Sequence, residues 1–390
     1  MKLKSLRKNN KIFNNKIVFL RSDFNVSLAG GKIKEDFKIK QSLETIHFLL
    51  KNNCKIVLAS HLGQPKNGFD KKYSLSPVAK YLERVLDEEI VFFDYQKFPK
   101  ISETKKEIFS NNSKIFLLDN LRFYNGEGRD CKRLGKSLAS LADVYVNDAF
   151  AVSHRANSSV SAIRNYLPSF SGLLLEKEIS SLDKILKPKK PFVVVMGGAK
   201  ISTKIPIIKK LYSQSSQILL GGALVNNIYL AQGFNIGKSL VDKNIKGLDN
   251  KFLKSKKIIL PIDVIVKTEI SKKNTEIKIK KISDVSDNDY ILDIGPKTIL
   301  LFSRYIKKAQ TIVWNGPLGM FEDDSFKKGT VVIAHEIAAR SSGKAFGVAG
   351  GGETVEALNL SGMGQYMDWV STGGGAMLSY LAGEDMPGIN

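Results

Sequence analysis

Cysteine is nearly absent: Cys54 and Cys131 are the 2 cysteines in 390 residues, and their spacing matches no metal-ligand pattern. Such scarcity points to a reduced, cytoplasmic protein and away from a disulfide-stapled scaffold. No apolar run approaches the length of a membrane span. The basic start Met1–Lys8 is not followed by an apolar stretch, so no signal peptide is expected. Two common nucleotide signatures are also missing. The segment Gly233-Phe-Asn-Ile-Gly237-Lys238-Ser239 looks like a P-loop but has too few residues between its glycines, and it follows a helical pattern where the motif needs a strand. No glycine-rich dinucleotide fingerprint is present. Acidic residues are in deficit, 38 Asp+Glu against 60 Lys+Arg, for a formal charge of +22. That balance raises nucleic-acid binding. The lysines are scattered, however, with no zinc-finger spacing and no aromatic RNA-binding signature. The charge is therefore assigned mostly to a composition rich in Lys, Asn and Ile throughout. Only weak, salt-dependent association with duplex DNA is expected, with no specific nucleic-acid partner.

What the chain does contain is one pattern repeated. Phe192–Met196 is an unbroken apolar run, as in a strand buried on both faces of a parallel sheet. Gly197-Gly198 stops it, and a helical pattern follows. Lys200 and Lys204 are read on one face of that helix, near its start, where a bound anion would offset their charge. Taken alone, this is an ordinary strand–turn–helix. In the first half the pattern recurs at Lys16–Arg21, Lys55–Ser60, Lys114–Asp119 and Val144–Val146, with helical stretches such as Ser42–Leu50 and Pro77–Leu86 between. The alternation predicts an α/β fold of two lobes, each a doubly wound parallel sheet with helices on both faces. Ligands bind beyond the carboxyl ends of such strands. Those ends carry Asp23, Asn25, His61, Arg122, Asp148, His154 and Arg155, a set suited to a small anion. His47 is read as a core residue on the apolar side of its helix. The second half has glycine-rich turns after its strands: Gly221-Gly222, Gly295-Pro296, Asn315-Gly316-Pro317, Gly350-Gly351-Gly352-Glu353-Thr354 and Ser371-Thr372-Gly373-Gly374-Gly375. Glycines let backbone amides approach phosphates. Ile258–Ile262 and Ile291–Ile294 are read as further strands of this repeat, and Lys267–Lys281 as an exposed hairpin or excursion. With 390 residues and prolines bracketing residues 168–188, the expected division is 1–167, a joining helix over 168–187, and 188–381.

Together these stretches resemble phosphoglycerate kinases over essentially the whole chain. The matching segments are RSDFNV, SHLG-P, NLRFYNGE, VNDAF--SHRA-SS, GGAKIS-K, GF-IGKS, DIGPKT, VWNGPLGMFE, AFGVAGGGET and STGGGA. The resemblance implies a kinase of glycolysis that moves a phosphoryl group between MgATP and the carboxylate of 3-phosphoglycerate, by hinge closure of two lobes in a cytoplasmic monomer. It implies that Asp23, Phe24, Asn25, Lys38, His61, Leu62, Gly63, Gln64, Arg122 and Arg155 hold the phosphoglycerate. Gly198, Ala199, Lys200, Lys204, Gly295, Asn315, Pro317, Glu322, Gly350, Gly351, Gly352, Glu353 and Thr354 would hold the nucleotide. Lys38, Lys204, Gly373 and Gly374 would act on the group in transit, and Glu353 would lie near Mg2+ carried by the nucleotide. Residues 382–390 would pack back on the first lobe. Departures are Lys38 and Gln64 where the family has arginines, Glu353 where it has aspartate, Ser27 for proline and Asn157 for histidine. The first three leave an alternative expectation: a paralogue acting on another carboxylate, or a weakly active nucleotide-binding protein.

Overall fold

The computed structural model describes residues 3–66, 68–242, 250–271 and 274–390. The chain divides into two compact units, Met1–Ser180 with Asp385–Asn390, and Ser181–Glu384. Their division falls within the helix Leu173–Leu186.

The first unit is built on a seven-stranded sheet. Its order is Lys4–Ser5, Ser169–Ser171, Val144–Asn147, Ile17–Arg21, Lys55–Ala59, Ile115–Leu118, Ile90–Phe93, and every pairing is parallel. Successive strand residues point to opposite faces. Accordingly Val18, Leu20, Ile56 and Leu58 enter one core, and Phe19, Val57, Phe116 and Tyr145 enter the other. Burial on both faces is why these strands read as unbroken apolar runs. Three strands were not among those expected: Ile90–Phe93, although its four residues are all apolar, and the short Lys4–Ser5 and Ser169–Ser171, which carry no such signal.

The second unit holds a six-stranded parallel sheet in the order Ile258–Ile259, Gln217–Leu220, Phe192–Met196, Thr311–Asn315, Phe346–Gly350, Trp369–Ser371. Two expected strands differ. Ile258–Ile262 shrinks to Ile258–Ile259 at the edge, because Pro261 offers no N–H to extend the ladder. Ile291–Ile294 belongs to Asp289–Ile294, which pairs antiparallel with Asp263–Ser271 in a separate three-stranded sheet. The expected hairpin is present, formed by Asp263–Ser271 and Asn274–Lys281.

The helix expected over Ser42–Leu50 begins earlier and spans Phe37–Lys51. The Glu35 carboxylate accepts the Phe37 amide at 2.7 Å, and Tyr81 Oη donates to Asp36 Oδ2 at 2.8 Å, which ties down the start. Lys38 therefore sits in the first helical turn. His47 is exposed, contrary to the core reading: Ile46 and Leu49 are the buried positions of that turn, and 47 falls on the outer side.

The C-terminal residues close the first unit. Asn147 Nδ2 donates to the Gly388 carbonyl at 2.8 Å, Gly388 N to the Ser153 carbonyl at 2.9 Å, and Arg164 Nη2 to the Asn390 carbonyl at 2.7 Å. Met386 and Ile389 are buried. Arg164→Ala removes charge-assisted bonds to two tail carbonyls, Pro387 and Asn390. It is expected to lower stability by about 1–3 kcal/mol. An unchanged urea midpoint for this variant would show that the tail bonds contribute nothing.

Candidate functional site

In the first unit the central strand Ile17–Arg21 lies between Lys55–Ala59 and Val144–Asn147. This is the point where the strand order reverses direction, which opens a crevice at the strand ends. The segments after these strands are laced together there. Asn25 N donates to Asp23 Oδ1 at 3.1 Å, and Gly63 N to Asn25 Oδ1 at 2.8 Å. Asn120 Nδ2 donates to the Leu62 carbonyl at 2.6 Å, and its Oδ1 accepts the Arg122 amide at 3.0 Å. The Arg122 guanidinium bonds the Gly63 carbonyl. These bonds fix the loops that carry the charged side chains.

Lys38 Nζ lies 2.8 Å from Asp23 Oδ2. Burial pushes the Asp23 carboxyl up, but Lys38, with His61 and Arg21 beside it, outweighs burial and holds it at about 2. Burial, reinforced by Arg21, Arg122 and Lys38 against the pull of Asp23, drives the His61 imidazole well below the usual histidine range. His61 is therefore neutral at pH 7. Burial and then the charges of Arg155 and Arg21 lower the Arg122 guanidinium. The excess of cationic groups over Asp23 makes this a cluster suited to a small anion.

The structure thus brings together Asp23, Asn25, Lys38, His61, Gly63, Arg122 and Arg155. Phe24 and Leu62, also expected here, turn their side chains into the hydrophobic core, so only their backbone faces this region. Gln64 is exposed. Arg21 and Asn120 were missed by sequence reasoning. Arg21 ends a strand and precedes Asp23, which is the one signal that could have marked it.

In the second unit the corresponding reversal lies between Gln217–Leu220 and Thr311–Asn315, on either side of Phe192–Met196. Turns at the strand ends pack backbone against backbone. A Cβ on Gly374 would lie 2.4 Å from Gly351 Cα, and one on Gly351 would lie 2.9 Å from Asn315 Nδ2. Gly351 also holds φ +111°, a conformation open to glycine. Gly316 N donates to Thr354 Oγ1 at 2.7 Å. Asn315 Nδ2 bonds the Gly350 carbonyl, and its Oδ1 accepts from Lys204 Nζ. Burial lowers Lys204 to about 8, against an opposing pull from Glu353. The helices starting at Gly352 and Gly374 point their N-termini into this cluster. Together with a lysine they make an anion-binding arrangement.

A cavity of about 440 Å³ adjoins it, lined in part by Gly198, Ala199, Pro317, Glu322 and Glu353. Its lining also includes Val225, Leu240, Val264 and Leu292, an apolar surface suited to a flat ring. Asp293 was also missed; burial raises its carboxyl to about 7 while it accepts from Ile294 N at 2.8 Å and Gly329 N at 2.7 Å.

Two expectations change. Lys200 and Lys204 do not share a helix: Lys200 is extended and exposed, a 3-10 turn covers Ile201–Thr203, and the helix starts at Ile205, with Pro206 in its first turn. Proline favours that position because its missing N–H would be unpaired there anyway. Gly295 does not line the cavity; a Cβ there would lie 2.3 Å from Asp263 Cγ, so it serves the close passage of that side chain.

Residues 9–384 match the family model described as phosphoglycerate kinase. The chain belongs to the phosphoglycerate kinase family. A phosphoglycerate kinase of Pseudothermotoga lettingae is 40% identical over 383 residues, covering 96% of this chain and 95% of that protein. Among solved structures, phosphoglycerate kinase from Coxiella burnetii superposes with a TM-score of 0.82 at 34% identity, covering 99% of this chain and 98% of the other. The Pyrococcus horikoshii phosphoglycerate kinase gives a TM-score of 0.82 at 30% identity, with 99% and 97% covered. Members of the phosphoglycerate kinase family are phosphotransferases with a carboxyl acceptor, and this chain is such an enzyme. The two-lobe α/β architecture is that of the family. No helix among the described residues is long and apolar enough to cross a membrane.

Proposed function

We propose that the chain catalyses reversible transfer of the γ-phosphoryl group of MgATP to the carboxylate of 3-phosphoglycerate, giving 1,3-bisphosphoglycerate and MgADP. The observation that carries this reading is a division of chemistry. The first unit gathers Lys38, His61, Arg122 and Arg155 around Asp23, and the second gathers helix N-termini, Asn315 and Lys204 beside an apolar cavity. The cations Lys38, Arg122 and Arg155, with neutral His61 as a hydrogen-bond donor, bind the phosphoglycerate, with Asp23 holding Lys38 and Asn25 holding the Gly63 turn. The nucleotide base enters the cavity, Glu322 lies along the ribose, and Gly198, Ala199, Lys200 and Pro317 flank the phosphates. Gly350, Gly351, Gly352 and Thr354 shape the opposite side.

The carboxylate oxygen forms the new bond to γ-phosphorus as the bond to the bridging oxygen of ADP breaks. Lys204, Lys38 and the amides near Gly373 and Gly374 neutralise the charge spread over the moving group. In such transfers the protein mainly positions groups and stabilises charge. A cytoplasmic monomer is the setting this reading implies.

Calorimetry with the full chain tests the division. Arg122→Ala should weaken 3-phosphoglycerate binding by about 10- to 100-fold, the loss of a charge-assisted contact, and leave MgADP binding within about twofold. Equal loss of both ligands would overturn it.

Magnesium enters with the nucleotide as part of the substrate. Among the described residues, no group of three or more His, Cys, Asp or Glu could hold a metal unaided. Glu353 fits a supporting role: it lines the cavity, and its Oε2 lies 3.7 Å from where a Gly198 Cβ would be. Mg2+ demands tight geometry and retains waters, so the longer glutamate arm acts through water. Glu353→Gln is expected to raise the magnesium concentration for half-maximal rate several-fold, and Glu353→Asp to preserve activity. An unchanged magnesium titration for Glu353→Gln would remove this role.

A further inference from the structure

Behind the cationic pocket lies a buried network that the reading above does not use. Arg21, fully buried at the end of its strand, donates from Nε to Ser159 Oγ at 2.9 Å and from Nη1 to the Ser22 carbonyl at 2.5 Å. Its Nη2 lies 3.3 Å from His61 Nδ1. Ser159 Oγ in turn donates to Glu127 Oε1 at 2.6 Å. Glu127 is buried and also accepts from Ser159 N at 3.0 Å and from Asn157 Nδ2 at 3.5 Å.

The direction of each bond follows from the groups. A guanidinium has donors and no acceptor, and it stays charged. Ser159 Oγ must therefore accept from Arg21, leaving its one proton for Glu127. Burial raises the Glu127 carboxyl, while the charge of Arg21 and the bonds from Ser159 and Asn157 pull the other way; its partners named here are all donors, which suits an ionised carboxylate. Such a carboxylate balances the buried charge of Arg21, which would otherwise be costly. By the same logic His61 Nδ1 accepts from Arg21 at 3.3 Å; Asp23 Oδ1 lies 3.8 Å from the same nitrogen, beyond hydrogen-bond distance, so Arg21 is the partner that sets the tautomer. Since His61 is neutral, its proton must be on Nε2. The ring then offers a bound anion a donor and never an acceptor.

We infer that Glu127 is a positioning residue for the phosphoryl acceptor: through Ser159 it holds Arg21, and Arg21 fixes His61 as the Nε2–H tautomer. This rests on the reading that the first unit binds 3-phosphoglycerate. Glu127 comes from a short turn and Ser159 from a segment far along the chain. Their pairing is supported by Ser158 N, which donates to the Glu127 carbonyl at 2.9 Å.

Histidine-labelled full-length protein tests the inference by nitrogen–proton NMR. With 4 histidines in the chain, His61 is assigned by comparison with His61→Gln. The wild type should show unprotonated Nδ1 and protonated Nε2 near pH 7. Glu127→Gln keeps the shape and removes the charge. It should yield a mixture of tautomers and raise KM for 3-phosphoglycerate by about 10- to 100-fold, with KM for MgATP unchanged. Ser159→Ala should do the same, and Glu127→Asp should recover part of the loss. A raised KM with His61 still wholly Nε2–H would make Glu127 merely structural and overturn the inference. So would variants with wild-type KM. If neither variant folds, the wild-type spectrum still decides, because a proton on Nδ1 contradicts the network outright. A His61 spectrum untouched by 3-phosphoglycerate would instead refute the binding reading and leave the tautomer result to judge the network.

Discussion

Replacing Lys204 with alanine is expected to lower kcat by about 10²–10³-fold, the cost typical of removing one preorganised donor from a developing anion. The side chain is held at the junction of the glycine turns by Asn315 Oδ1, where burial brings its pKa to about 8. A lysine is charged below its pKa and neutral above it. If the charge is what acts, kcat/KM for MgATP should fall as pH rises through about 8, since that quantity reports the free enzyme. Bound phosphates favour the charged form, so kcat itself should hold to higher pH. Lys204→Arg should abolish the alkaline fall in kcat/KM, because arginine stays protonated. A pH profile for Lys204→Arg that matches the wild type would assign the titration to another group. Wild-type kcat in Lys204→Ala would remove the residue from the chemistry.

Lys38→Ala should cost about 10²–10³-fold in turnover, less than the 10³–10⁵ a dedicated arginine can supply in phosphoryl transfer. Its position in the first helical turn and its bond to Asp23 rule out a passive lysine on a loop. Lysine keeps the charge but lacks the planar fork that grips two oxygens. Lys38→Arg is therefore expected to match or exceed the wild type. The effect of Lys38→Ala should fall on kcat more than on nucleotide KM, since the charge is needed chiefly in the transition state. The variant also leaves Asp23 without its nearest cation, so its carboxyl should move up from about 2. A Lys38→Ala enzyme with wild-type turnover would contradict the role.

The central strands were legible because burial on both faces leaves an unbroken apolar run, as at Phe192–Met196 and Ile115–Leu118. Edge strands such as Lys4–Ser5 are too short to show a period, and their pairing partner lies far along the chain. The third strand of the antiparallel sheet escaped for another reason: Asp289–Ile294 is followed by glycine and a helix, like the parallel strands, and only its partner distinguishes it. Site residues at strand ends could be named in advance because α/β sheets place ligands there. Gly295 lies against Asp263, and a glycine needed to pass that side chain looks in sequence like one needed to admit a phosphate. The buried bond from Arg21 to Ser159 joins positions 138 apart, and nothing local in either segment announces it. Conversely, the helix face expected for Lys200 and Lys204 failed on Pro206, whose preference for a first turn was present in the sequence and went unused.

Phosphorus NMR of the full chain with MgATP and 3-phosphoglycerate tests the central claim most directly. The account predicts an acyl-phosphate resonance growing with that of ADP, dependent on both substrates and on magnesium, and reduced by about 10²–10³-fold in initial rate for Lys204→Ala. ADP formation without an acyl phosphate, or an equal rate when 3-phosphoglycerate is replaced by another carboxylate, would contradict it.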